Sequence, residues 1–224
     1  MKVGIITYQT NHLKTQQVFE GIIKKYPEDE FIFYGLPFVK RAERKVFFAH
    51  RPDMSTGMDS RELAKKYGCE YVVCNSDLDI DDRCELYLIL GAGILSEKCV
   101  KGKKILNEHP GIIPTSRGLD AYKWAIYNMD PVGNTLHYID ASVDAGEIIA
   151  VLCTPVLQED SLQDFAMRHY KCEIDMMIDY KKYLKAPVNE MISAQEKEPH
   201  MRMRLETEKE LLTKFEQYKK RYAV

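Results

Sequence analysis

Short apolar runs alternate with helix-like repeats along the first half of the chain. Such runs, bounded by polar or glycine residues, are typical of buried parallel strands. Five of them lie at residues 3–7 (VGIIT), 31–36 (FIFYGL), 70–74 (EYVVC), 86–90 (LYLIL) and in the run KKILN that ends at 107. After the first run, Leu13, Val18, Ile22 and Ile23 recur at roughly helical spacing. Strands that alternate with helices predict an α/β fold with a doubly wound, mostly parallel Rossmann-like sheet.

The second half of the chain shows two adjacent strands followed by helices. Residues 133–140 (GNTLHYID) and 147–156 (EIIAVLCTPV) predict two strands joined by a short turn, and so an antiparallel pair near the C-terminal end of the domain. A long helix with one apolar side starts near Asp160 or Ser161. Residues 186–200 are polar, with prolines near both ends, and predict a linker between a domain at 1–185 and a C-terminal helix at 201–224.

Two helices carry clear terminal signals. Asp59 and Glu62 have the spacing of a capping box, which predicts a helix that Gly68 closes. The C-terminal helix is amphipathic, with acidic residues early and basic residues late. Its apolar stripe consists of Leu205, Leu211, Leu212, Phe215, Tyr218 and Tyr222. Either the helix's own domain or a second subunit could cover this stripe, and we expect a homodimer formed through the helix.

The charge balance narrows the classes of partner. With 32 basic and 34 acidic residues among 224, the formal net charge is -2. This argues against a general nucleic-acid binder and against a protein of the membrane surface. No apolar run reaches the length of a membrane span, and a strand begins directly after Met1, so we expect a cytoplasmic protein. The six cysteines form no CxxC pair and have no ligand spacing with the six histidines. We therefore expect free, buried thiols and no metal.

The segment NEHPGIIPTSRG, residues 107–118, places an amide and an imidazole at the end of a predicted strand. Asn107 and His109 point to the same side of the strand, and Glu108 points away. Pro110 and Pro114 stiffen the exit. An amide donor beside a titratable imidazole suits an oxyanion at the carboxyl edge of the sheet, where ligands bind. The alternative is that Asn107 caps a turn and His109 satisfies a backbone carbonyl.

A carboxylate lies in the turn between the two later strands. Asp144 is followed by Ala145 and Gly146, which leave room for a ligand to approach. A carboxylate there could orient a water, hold His109 protonated, or take a proton from an attacking amine. The alternative is an Asx-turn residue without further function.

Three segments in this order and spacing resemble the folate-dependent formyltransferase family, and most closely its sugar-nucleotide N-formyltransferases. They are residues 90–100 (LGAGILSEKCV), 104–118 (KILNEHPGIIPTSRG) and 133–149 (GNTLHYIDASVDAGEII). The resemblance covers residues 1–185 in fold order. It implies acyl transfer from 10-formyltetrahydrofolate to an amine.

The resemblance also implies roles for individual residues. Asn107 and His109 match the pair that stabilises the tetrahedral intermediate, and Asp144 matches the catalytic aspartate. The strand end with Gly93 and Leu95 matches the backbone that receives the pterin ring, with Leu95 in the contacting position. Val143 matches the folate-loop segment, and His137 matches a histidine found in many members, a core position being the alternative.

Departures from the family pattern bear on which amine accepts the formyl group. Glycinamide ribonucleotide transformylase has a glycine-rich loop after its first strand, but this chain has no glycine between Thr7 and Gly21. Asn11 and Lys14 could still bind a phosphate through their side chains, and Arg117 could bind a diphosphate. Methionyl-tRNA formyltransferase adds a second domain, and tRNA binding would need a basic stripe.

These departures favour a nucleotide-linked amino sugar as the small-molecule acceptor. The alternatives are glycinamide ribonucleotide or another small amine, and, further away, a non-catalytic folate- or nucleotide-binding module. A nicotinamide-dependent dehydrogenase should show GxGxxG after the first strand, and residues 3–21 do not.

Overall fold

The computed structural model describes residues 1–39, 44–139, 146–190 and 196–224. Its strands are β1 (Lys2–Tyr8), β2 (Glu30–Leu36), β3 (Glu70–Val73), β4 (Leu86–Ile89), β5 (Ile105–His109), β6 (Gly133–Tyr138), β7 (Ile148–Cys153) and β8 (Val188–Asn189). Its α-helices are α1 (Leu13–Lys25), α2 (Ser60–Lys66), α3 (Glu97–Val100), α4 (Ala121–Asn128), α5 (Leu162–Ile178), α6 (Tyr180–Lys185), α7 (Leu205–Lys209) and α8 (Leu211–Tyr222).

The eight strands form one sheet in the order β3-β2-β1-β4-β5-β6-β7-β8. β1 pairs in parallel with both β2 and β4, and β5 joins β4 in parallel. β6 is antiparallel to β5 and to β7, which confirms the predicted antiparallel pair and the predicted fold class. The strand order reverses between β1 and β4, so the crevice expected in a doubly wound sheet opens beyond their carboxyl ends.

The two faces of the sheet are covered by different helices. On one face, Phe19 and Ile22 of α1 and Met177 of α5 belong to the same buried cluster as Leu106 of β5. On the other face, Ile105 of β5 belongs to a second cluster with residues of β2, β4 and α3. Because side chains alternate along a strand, Glu108 faces α1 and α5, whereas Asn107 and His109 face the opposite side.

The Asp59 half of the predicted capping box and the glycine that closes α2 are found where the sequence placed them. Asp59 caps α2 by accepting hydrogen bonds from the backbone of Arg61 and Glu62, and Gly68 follows the helix with φ at +69°. Ser161 and Asp164 form a reciprocal capping box at the start of α5, with both side chain to backbone distances at 3.1 Å. These caps satisfy backbone donors that the first turn of a helix leaves open.

Removing the cap of α5 should lower stability measurably. Ser161→Ala deletes the hydroxyl that accepts from the Asp164 backbone N–H. We expect the free energy of unfolding to fall by about 1 kcal/mol, measured by urea denaturation. Ser161→Asp, which can still accept the bond, should recover most of the loss, and equal losses in both variants would show that the cap has no such role.

The apolar stripe of the C-terminal helix is covered by the chain itself. Leu211, Phe215 and Tyr218 are buried in a cluster with Tyr122 of α4 and Phe165 of α5. Our expectation that this stripe is uncovered by the chain, from which we expected a homodimer, is therefore wrong. The helix packs on its own domain instead. The element is also two helices, α7 and α8, and Leu212 lies off the buried stripe at 53% exposed.

The predicted linker at 186–200 is attached to the domain wherever it is described. Val188 and Asn189 add β8 to the sheet beside β7. Further on, the Lys197 backbone N–H donates to the Pro114 carbonyl, and His200 pairs with the segment around Gly118. All six cysteines are free; three are buried and three are half-buried. Among the residues described, no helix has the length and apolarity needed to cross a bilayer.

Candidate active site

Two neighbouring strands build the polar cluster at the end of β5. Asn107 lies between Ile89 of β4 and His137 of β6, and His109 lies opposite Thr135 of β6. Residues directly opposite each other in an antiparallel pair project to the same face. Asn107, His109, Thr135 and His137 therefore form one cluster on the face away from α1 and α5, and His109 is only 5% exposed.

His137 orients the amide of Asn107. Its Nδ1 lies 3.1 Å from the Tyr138 carbonyl, which only accepts, so Nδ1 carries the proton. In the neutral ring Nε2 is then an acceptor, and the Asn107 Nδ2 group donates to it at 3.2 Å. This assigns the amide orientation from its hydrogen-bond partner. An amide has two N–H donors, and His137 uses one of them.

The imidazole of His109 is oriented by the loop that follows it. His109 Nε2 donates to the Ser116 carbonyl at 2.8 Å, so protonation at Nδ1 would give an imidazolium. Thr135 braces the same loop, accepting from the Ile113 N–H at 3.1 Å and donating to the Gly111 carbonyl at 2.7 Å. The backbone-carbonyl contact that the sequence offered as an alternative role for His109 is present, and it is compatible with a ring that also carries a proton at Nδ1 and so is a charged donor.

The strand end after β4 offers an open surface beside this cluster. A Cβ placed on Gly93 would meet no atom within 4 Å, and the next residue, Ile94, is 85% exposed. Leu95 instead turns its side chain into the second core cluster. The backbone at Gly93 is thus open on the side where a Cβ would project. Asp144 and Val143 lie outside the described residues.

The polar side chains after β1 already have partners within the fold. Gln9 donates to the Gly35 and Cys74 carbonyls, and Asn11 donates to the Gly57 carbonyl. Lys14 is 8% exposed and contacts two carboxylates. Arg117 donates to the Lys197 carbonyl at 3.0 Å. Asn11, Lys14 and Arg117 therefore each have a protein partner within the described structure.

A buried ion cluster on the opposite face was missed by sequence reasoning. Lys14 Nζ lies 3.1 Å from Glu108 and 2.5 Å from Glu173, and Arg51 contacts Glu173 at 2.5 Å. Both carboxylates are fully buried. The cluster joins α1, β5, α5 and the segment before α2 directly behind the Asn107 and His109 pair. The sequence signal for this ion cluster is Glu108, a charged residue inside a predicted strand between two predicted site residues.

The two carboxylates of the ion cluster differ in their pKa values. Burial, with a contribution from Glu173, raises the pKa of Glu108 to about 8, and its Oε1 has no hydrogen-bond partner. Burial opposes ionisation of Glu173 as well, but Arg51 and Lys14 outweigh it and lower the pKa of Glu173 to about 2. The two shifts have opposite directions: the surroundings favour the protonated form of Glu108 and the ionised form of Glu173.

This difference predicts a pH dependence of stability. Glu108 has a folded pKa of about 8, above its ordinary 4.5, so between these values the folded state binds more protons than the unfolded state. The contribution of Glu108 to the free energy of unfolding is thus full below pH 4.5 and declines as the pH rises toward 8. Urea denaturation across this range should show a decline in the wild type that is smaller in Glu108→Gln. Parallel curves for the two proteins would contradict the assignment.

No metal site is found among residues 1–39, 44–139, 146–190 and 196–224: no group of three His, Cys, Asp or Glu side chains there could hold an ion. The chemistry of the cluster on β5 and β6 is that of hydrogen-bond donors and an imidazole. Such a set can stabilise an oxyanion and hold a proton.

Part of the chain is similar in sequence to known formyltransferases. Residues 86–180, which include β4 to α5, match the sequence model of the formyl transferase family. The phosphoribosylglycinamide formyltransferase of Haemophilus influenzae is 34% identical over 107 residues, which cover 42% of this chain and 50% of that protein. The chain thus spans about half the length of this curated relative.

Solved structures share the fold at lower sequence identity. The phosphoribosylglycinamide formyltransferase of Campylobacter jejuni has a TM-score of 0.60 at 19% identity, over 83% of this chain and 98% of that one. The formyltransferase PseJ of Anoxybacillus kamchatkensis, solved with UDP-4,6-dideoxy-4-formamido-L-AltNAc and tetrahydrofolate, has a TM-score of 0.55 at 17% identity, over 94% of this chain and 90% of that one. The match at 86–180, together with this shared fold, confirms that the chain resembles the folate-dependent formyltransferase family.

Proposed function

We propose that the protein transfers the formyl group of 10-formyltetrahydrofolate to the amine of a small-molecule acceptor, and that this acceptor is a nucleotide-linked amino sugar. The observation that carries the proposal is the oriented pair on β5. The Asn107 amide is held by His137 and the His109 imidazole by Ser116, side by side at the carboxyl end of the strand. This pair lies inside the segment that matches the formyl transferase family.

The proposed chemistry is acyl transfer through a tetrahedral intermediate. The acceptor amine forms a bond to the formyl carbon, and negative charge develops on the formyl oxygen. The second N–H of Asn107 and the protonated His109 ring stabilise that charge, which an uncharged ground-state carbonyl does not carry. The carbon bond to N10 of the folate then breaks. Asp144 is proposed to take the proton released by the amine, and tetrahydrofolate leaves with a proton at N10.

The folate is proposed to bind at the strand end after β4. Gly93 gives the pterin ring an open backbone to approach, and Leu95 and Val143 complete the binding segment by analogy with the family. The pairing of Ile89, at the end of β4, with Asn107 supports a binding mode in which the formyl group comes within reach of Asn107. The proposal requires no metal.

The choice of acceptor rests on the loop after β1. Its side chains bind within the fold, and phosphate binding by Lys14 would require its ammonium to leave Glu108 and Glu173. A compact phosphate site there is therefore disfavoured, which supports an amino-sugar nucleotide. Asn11 and Arg117 remain predicted substrate contacts. The solved PseJ complex, with its UDP-linked formamido sugar, supports the same class.

Glycinamide ribonucleotide is the second candidate acceptor. It is favoured by one specific observation: the curated relative from Haemophilus influenzae, 34% identical over the matched segment, is a phosphoribosylglycinamide formyltransferase. Its phosphate would need donors other than those of the β1 to α1 loop, because those side chains have the partners described above.

The test is release of tetrahydrofolate from 10-formyltetrahydrofolate, followed by absorbance against a panel of amino-sugar nucleotides and glycinamide ribonucleotide. Turnover with one amino-sugar nucleotide, and a product heavier by one formyl group, would establish the activity and the acceptor. Turnover with glycinamide ribonucleotide alone would replace the first acceptor by the second. Absence of turnover with every amine would refute the formyl-transfer proposal.

A further inference from the structure

We propose that residues 197–200 position the imidazole of His109 by holding the loop 114–119 in place. These residues belong to the stretch that the sequence predicted to be a linker. The kinetic consequence of this inference rests on the proposed formyl transfer, but the structural consequence, the orientation of the His109 ring, does not.

The loop is held on both sides of the carbonyl that orients His109. Ser116 accepts the bond from His109 Nε2 at 2.8 Å. Before Ser116, the Pro114 carbonyl accepts from the Lys197 N–H at 3.2 Å. After it, the Arg117 carbonyl accepts from the His200 N–H at 2.9 Å, and the Leu119 N–H donates to the His200 carbonyl at 2.8 Å. Three backbone hydrogen bonds thus frame one orienting carbonyl.

The fit between the two segments is close. A Cβ on Gly118 would lie 2.4 Å from the His200 carbonyl oxygen, and Gly118 has φ at +84°. A side chain at this position would therefore both strain the backbone and push residue 200 away. Arg117 adds a side-chain bond to the Lys197 carbonyl at 3.0 Å. The loop 114–119 and the segment 197–200 are thus in direct backbone contact.

The segment is in turn anchored to α4 and its C-terminal end. Lys197 Nζ lies 2.6 Å from both carboxylate oxygens of Asp130. The His200 ring stacks on Trp124 with ring centres 4.5 Å apart and planes 13° apart, and Trp124 Nε1 donates to the Met201 carbonyl at 2.8 Å. These two anchors can be removed by substituting residues that lie outside the loop and are not His109 itself.

Loss of the anchors should change the imidazole itself. The Ser116 carbonyl keeps the proton on Nε2 of the neutral ring, and a less tightly held carbonyl would let the proton distribute between the two ring nitrogens. In the proposed mechanism the protonated ring donates from Nδ1 while Nε2 stays bonded to Ser116, so a ring that has lost this orientation would no longer aim its donor at the formyl oxygen. The expected kinetic effect is on kcat rather than on KM, because this interaction strengthens only as charge develops.

The experiment uses the full chain with both anchors removed, as the double variant Lys197→Met with Trp124→Leu. The matched control is Lys66→Met with Tyr67→Leu, which removes a lysine and the aromatic ring beneath it at the end of α2. The His109 resonances are assigned by comparison with His109→Gln, and the ¹⁵N shifts of the ring report the tautomer. We expect a wild-type ring with its proton on Nε2, a mixture in the anchor variant and no change in the control. In the formyl-transfer assay we expect kcat to fall by about 10-fold in the anchor variant, with KM changed by less than about 2-fold.

An unchanged His109 tautomer in a folded anchor variant would overturn the inference. So would an equal change in the control, since this would reflect general destabilisation. If the tautomer responds as expected but the wild type transfers no formyl group to any amine, the positioning inference stands and the proposed function fails. The two claims therefore fail separately.

Discussion

Replacing His109 by alanine should lower kcat for formyl transfer by about 10²- to 10⁴-fold, the usual contribution of a positioned acid or of one oxyanion donor. The ring is buried, is held by Ser116, and faces the same side of the sheet as Asn107. In the proposed mechanism its loss removes a donor that acts only in the transition state, so we expect KM for the folate to change far less. Steady-state kinetics with varied 10-formyltetrahydrofolate would measure both.

Companion variants separate chemistry from folding. Asn107→Ala should lower kcat by about 10²- to 10³-fold through loss of one oxyanion donor, and Asp144→Asn should also lower turnover by orders of magnitude. Asn75→Ala, at an exposed asparagine, is the matched control and should leave kcat unchanged. Urea denaturation must show that each variant is folded. Near-normal rates in His109→Ala and Asp144→Asn together would mean that the catalytic assignment is wrong.

Glu173→Gln should destabilise the protein by about 3–5 kcal/mol, as expected when one partner of a buried ion pair is removed. Glu173 is ionised and holds both Lys14 and Arg51, so a neutral amide would leave two cations without an adequate counter-charge. Glu108→Gln should cost about 1 kcal/mol or less, because the protonated carboxyl is already neutral at pH 7. Urea denaturation of the two variants at pH 7 makes the comparison.

This pair of variants is its own control, since both change a buried glutamate to glutamine within one cluster. Equal destabilisation would show that Glu108 is ionised at pH 7 and that the two carboxylates share the cations evenly. A larger loss in Glu108→Gln would reverse the assignment of charge. Acid should also weaken the wild type as the pH falls from 4.5 toward 2, because the lowered pKa of Glu173 contributes stability only while that group is ionised.

The strands and the polar pair were predictable because they depend on local patterns. The apolar runs gave β1, β2 and β4 to within a residue or two, and alternation along β5 placed Asn107 and His109 on one side. The capping signal at Asp59 and the predicted start of the long helix near Ser161 also held, since both depend on only a few neighbouring residues. These features are decided within a few positions of the sequence.

The features that sequence reasoning missed depend on distant contacts. Lys14 meets Glu108 and Glu173 only after the sheet and α5 have formed, and no local pattern marks that meeting. The helix α4 was not predicted, and the residue before it, Asp120, has φ at +54° and supplies no side-chain cap. The C-terminal helix looked uncovered because the cluster around Tyr122 and Phe165 that buries it lies far away in sequence.

The backbone bonds between loop 114–119 and residues 197–200 also set an order of events during synthesis. Arg117 and Lys197 are 80 positions apart. A ribosome adds about 5–20 residues per second. Residues 197–200 are therefore synthesised several seconds after the loop beside His109. Until they emerge, none of these backbone bonds to the loop can form, so we expect the surroundings of His109 to be completed late in synthesis.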